Sequence, residues 1–148
     1  NTDERTKLWQ ARHDAYWASQ LLRPGAASLS TDVCVPISRL AECVAATEAD
    51  IEANGLVATV VGHAGDGNFH VLVLFDKENA AEVQATEAFV ARLNARALLM
   101  DGTCTGEHGI GQGKRAFLRE ELGDAVDVMQ AVKQALDPLG IMNPGKIF

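Results

Sequence analysis

Leu8, Ala11, Ala15, Ala18 and Leu22 recur at steps of three and four, which predicts a helix over residues 3–22 with that stripe facing a core. Arg23-Pro24-Gly25 stops it, and the small residues that follow to Ser30 read as a loop. Asp32-Val33-Cys34-Val35 predicts a short buried strand closed by Pro36. A second helix follows, with Ser38 as its N-cap and Glu42 four residues on. Leu40, Ala41, Val44 and Ile51 form its apolar stripe, and Asn54-Gly55 ends it. Residues 56–62 and 69–75 are β-rich runs around a glycine-rich turn, the pattern of a β-hairpin. Val83, Val90, Leu93 and Ala97 mark an amphipathic helix over 79–99. A glycine-rich loop separates it from helices over 114–121 and 124–136, which Pro138 and Gly140 end.

The order helix, strand, helix, strand, strand, helix predicts an α+β fold, a ferredoxin-like antiparallel sheet with flanking helices. The length fits one domain, 1–148. Hydrophobic residues make up 47% and charged residues 22%, ordinary globular values. A net charge of −7 argues against nucleic acid or an anionic membrane as a partner. The one tight basic group, Lys114-Arg115 with Arg119, reads either as a surface for another domain or as solvated. Three cysteines without a CxxC pair give neither a disulfide framework nor a zinc module, and suit a reducing compartment. Cys34 and Cys43 read as packing residues. Cys104 has no base-and-orienter set beside it. No apolar run approaches the ~20 residues that span a bilayer. Residues 1–13 carry no signal-peptide core and read as helix without an initiating Met, so a fragment of a longer protein is expected.

Two polar, glycine-rich segments carry the candidate chemistry. In Gly62-His63-Ala64-Gly65-Asp66-Gly67-Asn68-Phe69-His70, two of the four histidines stand at the ends of the hairpin turn, roughly opposite each other. Two opposed imidazoles on one face can share a metal ion; polar turn tips are the other reading. In Thr103-Cys104-Thr105-Gly106-Glu107-His108-Gly109-Ile110-Gly111, glycines flank a Glu-His pair, as in a loop that approaches a ligand or one that merely leads into the next helix. His63, His70 and Glu107 together form a His₂-carboxylate set with open positions, a catalytic metal pattern, with His108 left beside it as a base. Arg12, near Trp9 and Tyr16, reads either as a ligand-binding cation or as an arginine covering aromatic surface. No glycine-rich nucleotide loop follows a strand and opens a helix.

GHAGDGNFH, CTGEHGIGQGKR and LDPLGIMNPGKIF resemble the signature segments of the C-terminal domain of FAD-linked oxidases of the vanillyl-alcohol-oxidase type. The branch they resemble holds D-lactate and D-2-hydroxyglutarate dehydrogenases and glycolate-oxidase-like enzymes. LWQARHDAYW and STDVCVPISRL are similar to its cytochrome-type D-lactate members. The resemblance implies a separate N-terminal FAD-binding domain outside 1–148, with this domain capping the flavin. It implies that His63, His70 and Glu107 bind a divalent metal, taken as zinc, that His108 is the general base, and that Arg12 pairs with the substrate carboxylate. Asn68, Asn143 and Lys146 are implied to approach the flavin. Where the hydroxyglutarate enzymes carry polar residues for a distal carboxylate, this chain has Tyr16, Ser30 and Leu72, which favours a short monocarboxylate such as D-lactate.

The implied reaction is oxidation of a D-2-hydroxy acid to the 2-oxo acid, with metal-assisted proton abstraction and hydride transfer to FAD. The implied electron acceptor is a cytochrome c or a quinone, and a homodimer is a further implied assembly. The implied place is mitochondrial in a eukaryote, cytoplasmic or membrane-peripheral in a bacterium. Two readings from other classes compete: a metallohydrolase using the same three ligands, and a regulatory module that binds a small acid.

Overall fold

β4 (Asn68–Phe75) runs through the middle of the sheet, and seven of its eight residues are buried. Side chains alternate along a strand, so β4 has two faces. In the computed structural model, which describes residues 1–148, Phe69, Val71 and Val73 point into the core and Asn68, His70 and Leu72 to the other face. On one side β4 pairs antiparallel with β3 (Val57–His63), from Val57↔Leu74 to His63↔Asn68. On the other side it pairs with β1 (Ala27–Ser30) and then β2 (Val33–Cys34). The register is continuous from Ala27↔Phe75 to Cys34↔Asn68, so β1 and β2 are one edge strand interrupted at Thr31-Asp32. The antiparallel sheet with flanking helices is the expected α+β architecture. β1 lies in the stretch read as a loop: Ala-Ser-Leu-Ser is too short and too polar to signal a strand, and its pairing with β4 makes it one.

α2 (Ile37–Ala53) and α3 (Ala80–Leu99) cover the core face, where Cys43, Phe89, Leu93 and Ala97 are fully buried. α2 starts straight after Pro36, whose carbonyl accepts from the Arg39 N–H; Ser38 lies inside the first turn and caps nothing. Asn79 caps α3 by accepting from the Ala81 N–H. α1 (Thr2–Gln20) lies across the other face, rotated from the expected stripe. Leu8 is 73% exposed and Leu22 60%, while Arg12, Ala15 and Ser19 turn inward. The sheet surface beneath is polar, with Thr59, His63 and His70, so the helix meets it with small and polar residues; the Thr59 hydroxyl donates to Ser19 Oγ at 2.7 Å. α4 (Arg115–Leu122) and α5 (Ala125–Leu136) follow the glycine-rich loop. No helix is long and apolar enough to cross a membrane.

Candidate active site

The polar face of the hairpin, the inner face of α1 and the loop 105–108 meet around a cavity of about 190 Å³, whose lining includes Arg12, Tyr16, Ser30, Leu72, Glu107 and His108. β3 and β4 are joined by a tight 64–66 turn closed by Gly67. Gly67 has φ +73°, and a Cβ there would stand 2.1 Å from the Val35 carbonyl oxygen, so no other residue fits between the turn and the edge strand. The register places His63 opposite Asn68 and His70 opposite Val61. The two histidines are therefore diagonal neighbours rather than directly opposed, still on one face, with ring centroids 5.9 Å apart.

Hydrogen bonds set the tautomers. His70 Nδ1 lies 2.9 Å from the Thr31 carbonyl oxygen, which only accepts, so Nδ1 carries the proton and Nε2 points to the cavity. Arg12 only donates, so at 3.4 Å from it His63 Nε2 presents its lone pair. Glu107 Oε1 stands 3.1 Å from His70 Nε2, 3.6 Å from His63 Nε2 and 3.5 Å from His108 Nε2. Lone pairs converging in this way need a proton or a cation among them. Ligands about 2.1 Å from a tetrahedral ion stand about 3.4 Å apart. The three ligand atoms of His63, His70 and Glu107 all lie within 4.8 Å of one another, so the donor set fits a divalent cation in spacing and chemistry. The His108 ring stacks on His70, centroids 5.1 Å apart and planes 12° apart, while remaining half exposed at the cavity mouth.

Asn143 and Lys146 line a second, more open cavity of about 490 Å³ that also borders His108, Gly109 and Gly111. Two anchors hold this C-terminal segment. The buried Asp137 accepts from the N–H groups of Ile141 and Met142, and the Ile147 N–H donates to Gly111 O at 2.7 Å. Asn68 is only 5% exposed, and its amide nitrogen already donates to Asp32 and to Val33 O; its Oδ1 is buried without a partner. Lys114, read as domain-facing or solvated, instead reaches back to Asp32, with Nζ 2.8 Å from its carbonyl oxygen. Asp32 itself was not singled out as a site residue. Its signal was a charged residue opening a buried apolar run, a position that demands partners. Burial works to raise its pKa, yet the hydrogen bonds from the His108 N–H and Asn68 and the charge of Lys114 hold it well below the usual carboxylate range. Burial, and then the Glu121 carboxylate, push the Cys104 thiol up to about 12, so Cys104 is not a nucleophile here.

The sequence profile described as "FAD linked oxidases, C-terminal domain" matches residues 1–147. Over 147 residues the chain is 55% identical to a probable mitochondrial D-lactate dehydrogenase of Danio rerio, covering 99% of this chain and 30% of the relative. It is 44% identical to the mitochondrial D-lactate dehydrogenase [cytochrome] of Arabidopsis thaliana, covering 99% and 26%. It is 38% identical to the glycolate oxidase subunit GlcD of Bacillus subtilis, covering 99% and 31%. The chain thus spans between a quarter and a third of the length of these relatives. Among solved structures, 4-ethylphenol oxidase from Gulosibacter chungangensis superposes with a TM-score of 0.66 at 19% identity, over 95% of this chain and 29% of that one, a likeness of fold.

Proposed function

Since the chain belongs to the C-terminal domain family of FAD-linked oxidases, we propose that it forms the substrate side of a flavin-dependent D-2-hydroxy-acid dehydrogenase acting on D-lactate or a similarly short acid. The observation that carries this reading is the convergence of Arg12, His70, Glu107 and His108 on one cavity of about 190 Å³, with His63 beside them completing a His₂-carboxylate set.

Arg12 pairs with the substrate carboxylate, where its planar fork suits two parallel hydrogen bonds. Tyr16, Ser30 and Leu72 form a wall without a charge for a second carboxylate, and this supports a monocarboxylic substrate. His108 sits at the cavity mouth and takes the hydroxyl proton as the hydrogen on the adjacent carbon leaves with its electron pair, giving the 2-oxo acid. His63, His70 and Glu107 would hold a divalent cation, taken as zinc, which would supply Lewis acidity toward the substrate, and FAD would supply the hydride acceptor. Asn143 and Lys146, on the open wall next to His108, are the flavin-facing residues. Asn68 lies beneath the loop with its amide nitrogen engaged by Asp32 and Val33 O and its Oδ1 buried, so a bond to the flavin would require that oxygen to be uncovered. The FAD-binding domain of the same protein completes the site. A cytochrome, in keeping with the name of the Arabidopsis relative, or a quinone takes the electrons. The zebrafish and Arabidopsis names favour a mitochondrial setting for a eukaryotic source.

The test is made in the flavoprotein that carries this domain. His108→Ala is expected to lose about 10²–10⁴-fold in kcat while keeping its metal, whereas Glu107→Ala loses both. Metal analysis alongside kcat decides it: near-normal turnover in both variants places the chemistry elsewhere, and metal loss in His108→Ala alone reverses the two roles.

A further inference from the structure

Asp32 is 1% exposed and lies directly beneath the loop that presents Glu107 and His108. Its Oδ2 accepts from the backbone N–H of His108 at 2.9 Å and of Glu107 at 3.1 Å, from the Thr105 hydroxyl at 3.2 Å and from Lys114 Nζ at 3.3 Å. Its Oδ1 accepts from Asn68 Nδ2 at 2.8 Å and shares the Glu107 N–H at 3.2 Å. Two consecutive N–H groups aimed at one carboxylate form an anion-binding nest, here filled from within the chain. Both peptide planes are thereby held. In that setting Glu107 reaches His70 Nε2 while the next side chain, His108, turns to stack on the His70 ring.

Two further features tie this carboxylate to the site. A Cβ on Gly106 would stand 2.7 Å from Asp32 Oδ1 and 1.7 Å from Asn68 Nδ2, so the loop passes over the carboxylate with room for glycine alone. The break in the edge strand at Thr31-Asp32 also serves the histidine. The Thr31 hydroxyl accepts the Val71 N–H, a bond that a regular ladder would give to a backbone carbonyl, and the Thr31 carbonyl is left to orient His70 Nδ1. One two-residue interruption thus orients His70 through its first residue and the Glu107-His108 pair through its second. Space-filling alone would be met by an apolar side chain without the cost of burying a charge.

We infer that Asp32 is a positioning residue of this site, clamping the backbone of Glu107 and His108 so that one side chain completes the cation set and the other stays free at the cavity. The inference rests on the proposed roles of His63, His70, Glu107 and His108. It is tested in the whole flavoprotein with Mn²⁺ as the probe, its affinity read by chelator competition, beside thermal stability and the kcat and KM for D-lactate. Asp32→Asn keeps the size but loses the acceptor, and is expected to weaken Mn²⁺ binding about 10–100-fold and to lower kcat by a similar factor. KM is expected to move less, because Arg12 is untouched. A carboxylate with a purely structural role would lower the melting temperature and leave Mn²⁺ affinity and kcat of the folded protein unchanged; that result overturns the inference. Should Asp32→Asn fail to fold, Gly106→Ala lifts the loop off the carboxylate without removing any ligand side chain. It is expected to show the same loss, and wild-type affinity in it overturns the inference. Glu107→Gln separates the two levels. If it loses Mn²⁺ while Asp32→Asn and Gly106→Ala keep it, the positioning role fails and the cation site stands. If it keeps Mn²⁺, the reading of the site fails and the positioning role falls with it.

Discussion

Arg12 makes a single polar contact across the cavity, at 3.4 Å to His63 Nε2, and is only partly buried. No carboxylate pairs with it in the structure, which leaves a guanidinium at the cavity wall available to an anion. Arg12→Ala in the flavoprotein is expected to lose about 2 kcal/mol of transition-state binding, the worth of hydrogen bonds to a charged group, or about 30-fold in kcat/KM. Arg12→Lys is expected to recover little, since an ammonium cannot reproduce the fork. Wild-type kcat/KM for D-lactate in Arg12→Ala refutes the assignment. Residue identities made His63, His70, Glu107 and His108 legible as candidates, because each is a ligand or base type set among glycines. Asp32, Thr31 and Lys114 were not, because what they do depends on who lies above them.

At the scale of elements, the site depends on the two-faced hairpin. Phe69, Val71 and Val73 bind β4 to α2 and α3, and the same alternation sends Asn68, His70 and Leu72 to the opposite face. Leu93 on α3 is fully buried in that core. Leu93→Ala is expected to cost about 2–5 kcal/mol of stability, read by urea unfolding, because the cavity closes only partly. A loss under 1 kcal/mol would show that α3 is not a main support of the sheet. The hairpin was legible from its two apolar runs and the glycine turn between them. The rotation of α1 was not: its apolar residues predict a stripe, but the surface it meets is polar, and contact chemistry overrides periodicity.

Across the whole molecule, ion pairs link segments distant in the chain, and they set the acid response. Hydrogen bonding to Arg23 holds Glu82 down from 4.5 to about 2, tying the turn after α1 to the start of α3. Hydrogen bonds from Arg92, opposed by partial burial and joined by Arg96, lower Asp50 and tie α2 to α3. A depressed folded pKa means stability that is present above the unfolded value and lost as pH falls through the folded one. The melting temperature is therefore expected to hold near neutral pH and to fall progressively from about pH 4.5 toward pH 2. Arg23→Ala is expected to flatten part of that fall. A melting temperature that is constant from pH 6 to pH 3 contradicts both assignments.

The sequence by itself determined the helices α1 to α5, the hairpin and the short strand before Pro36, because periodicity, turn residues and helix stops act over a few neighbouring positions. It also determined which residue types stand at the hairpin turn and in the glycine-rich loop. Only the tertiary structure decided that Ala27–Ser30 is a strand, that the histidines are diagonal rather than directly opposed across the hairpin, and which face of α1 turns inward. It also decided that a buried aspartate holds the loop from below. The hairpin register apart, each of these is set by a partner 40 or more residues away, as where Ala27 pairs with Phe75 and Asp32 meets His108. A strand edge, a helix rotation or a buried charge acquires its energy from what covers it, and spacing along the chain carries no record of that partner.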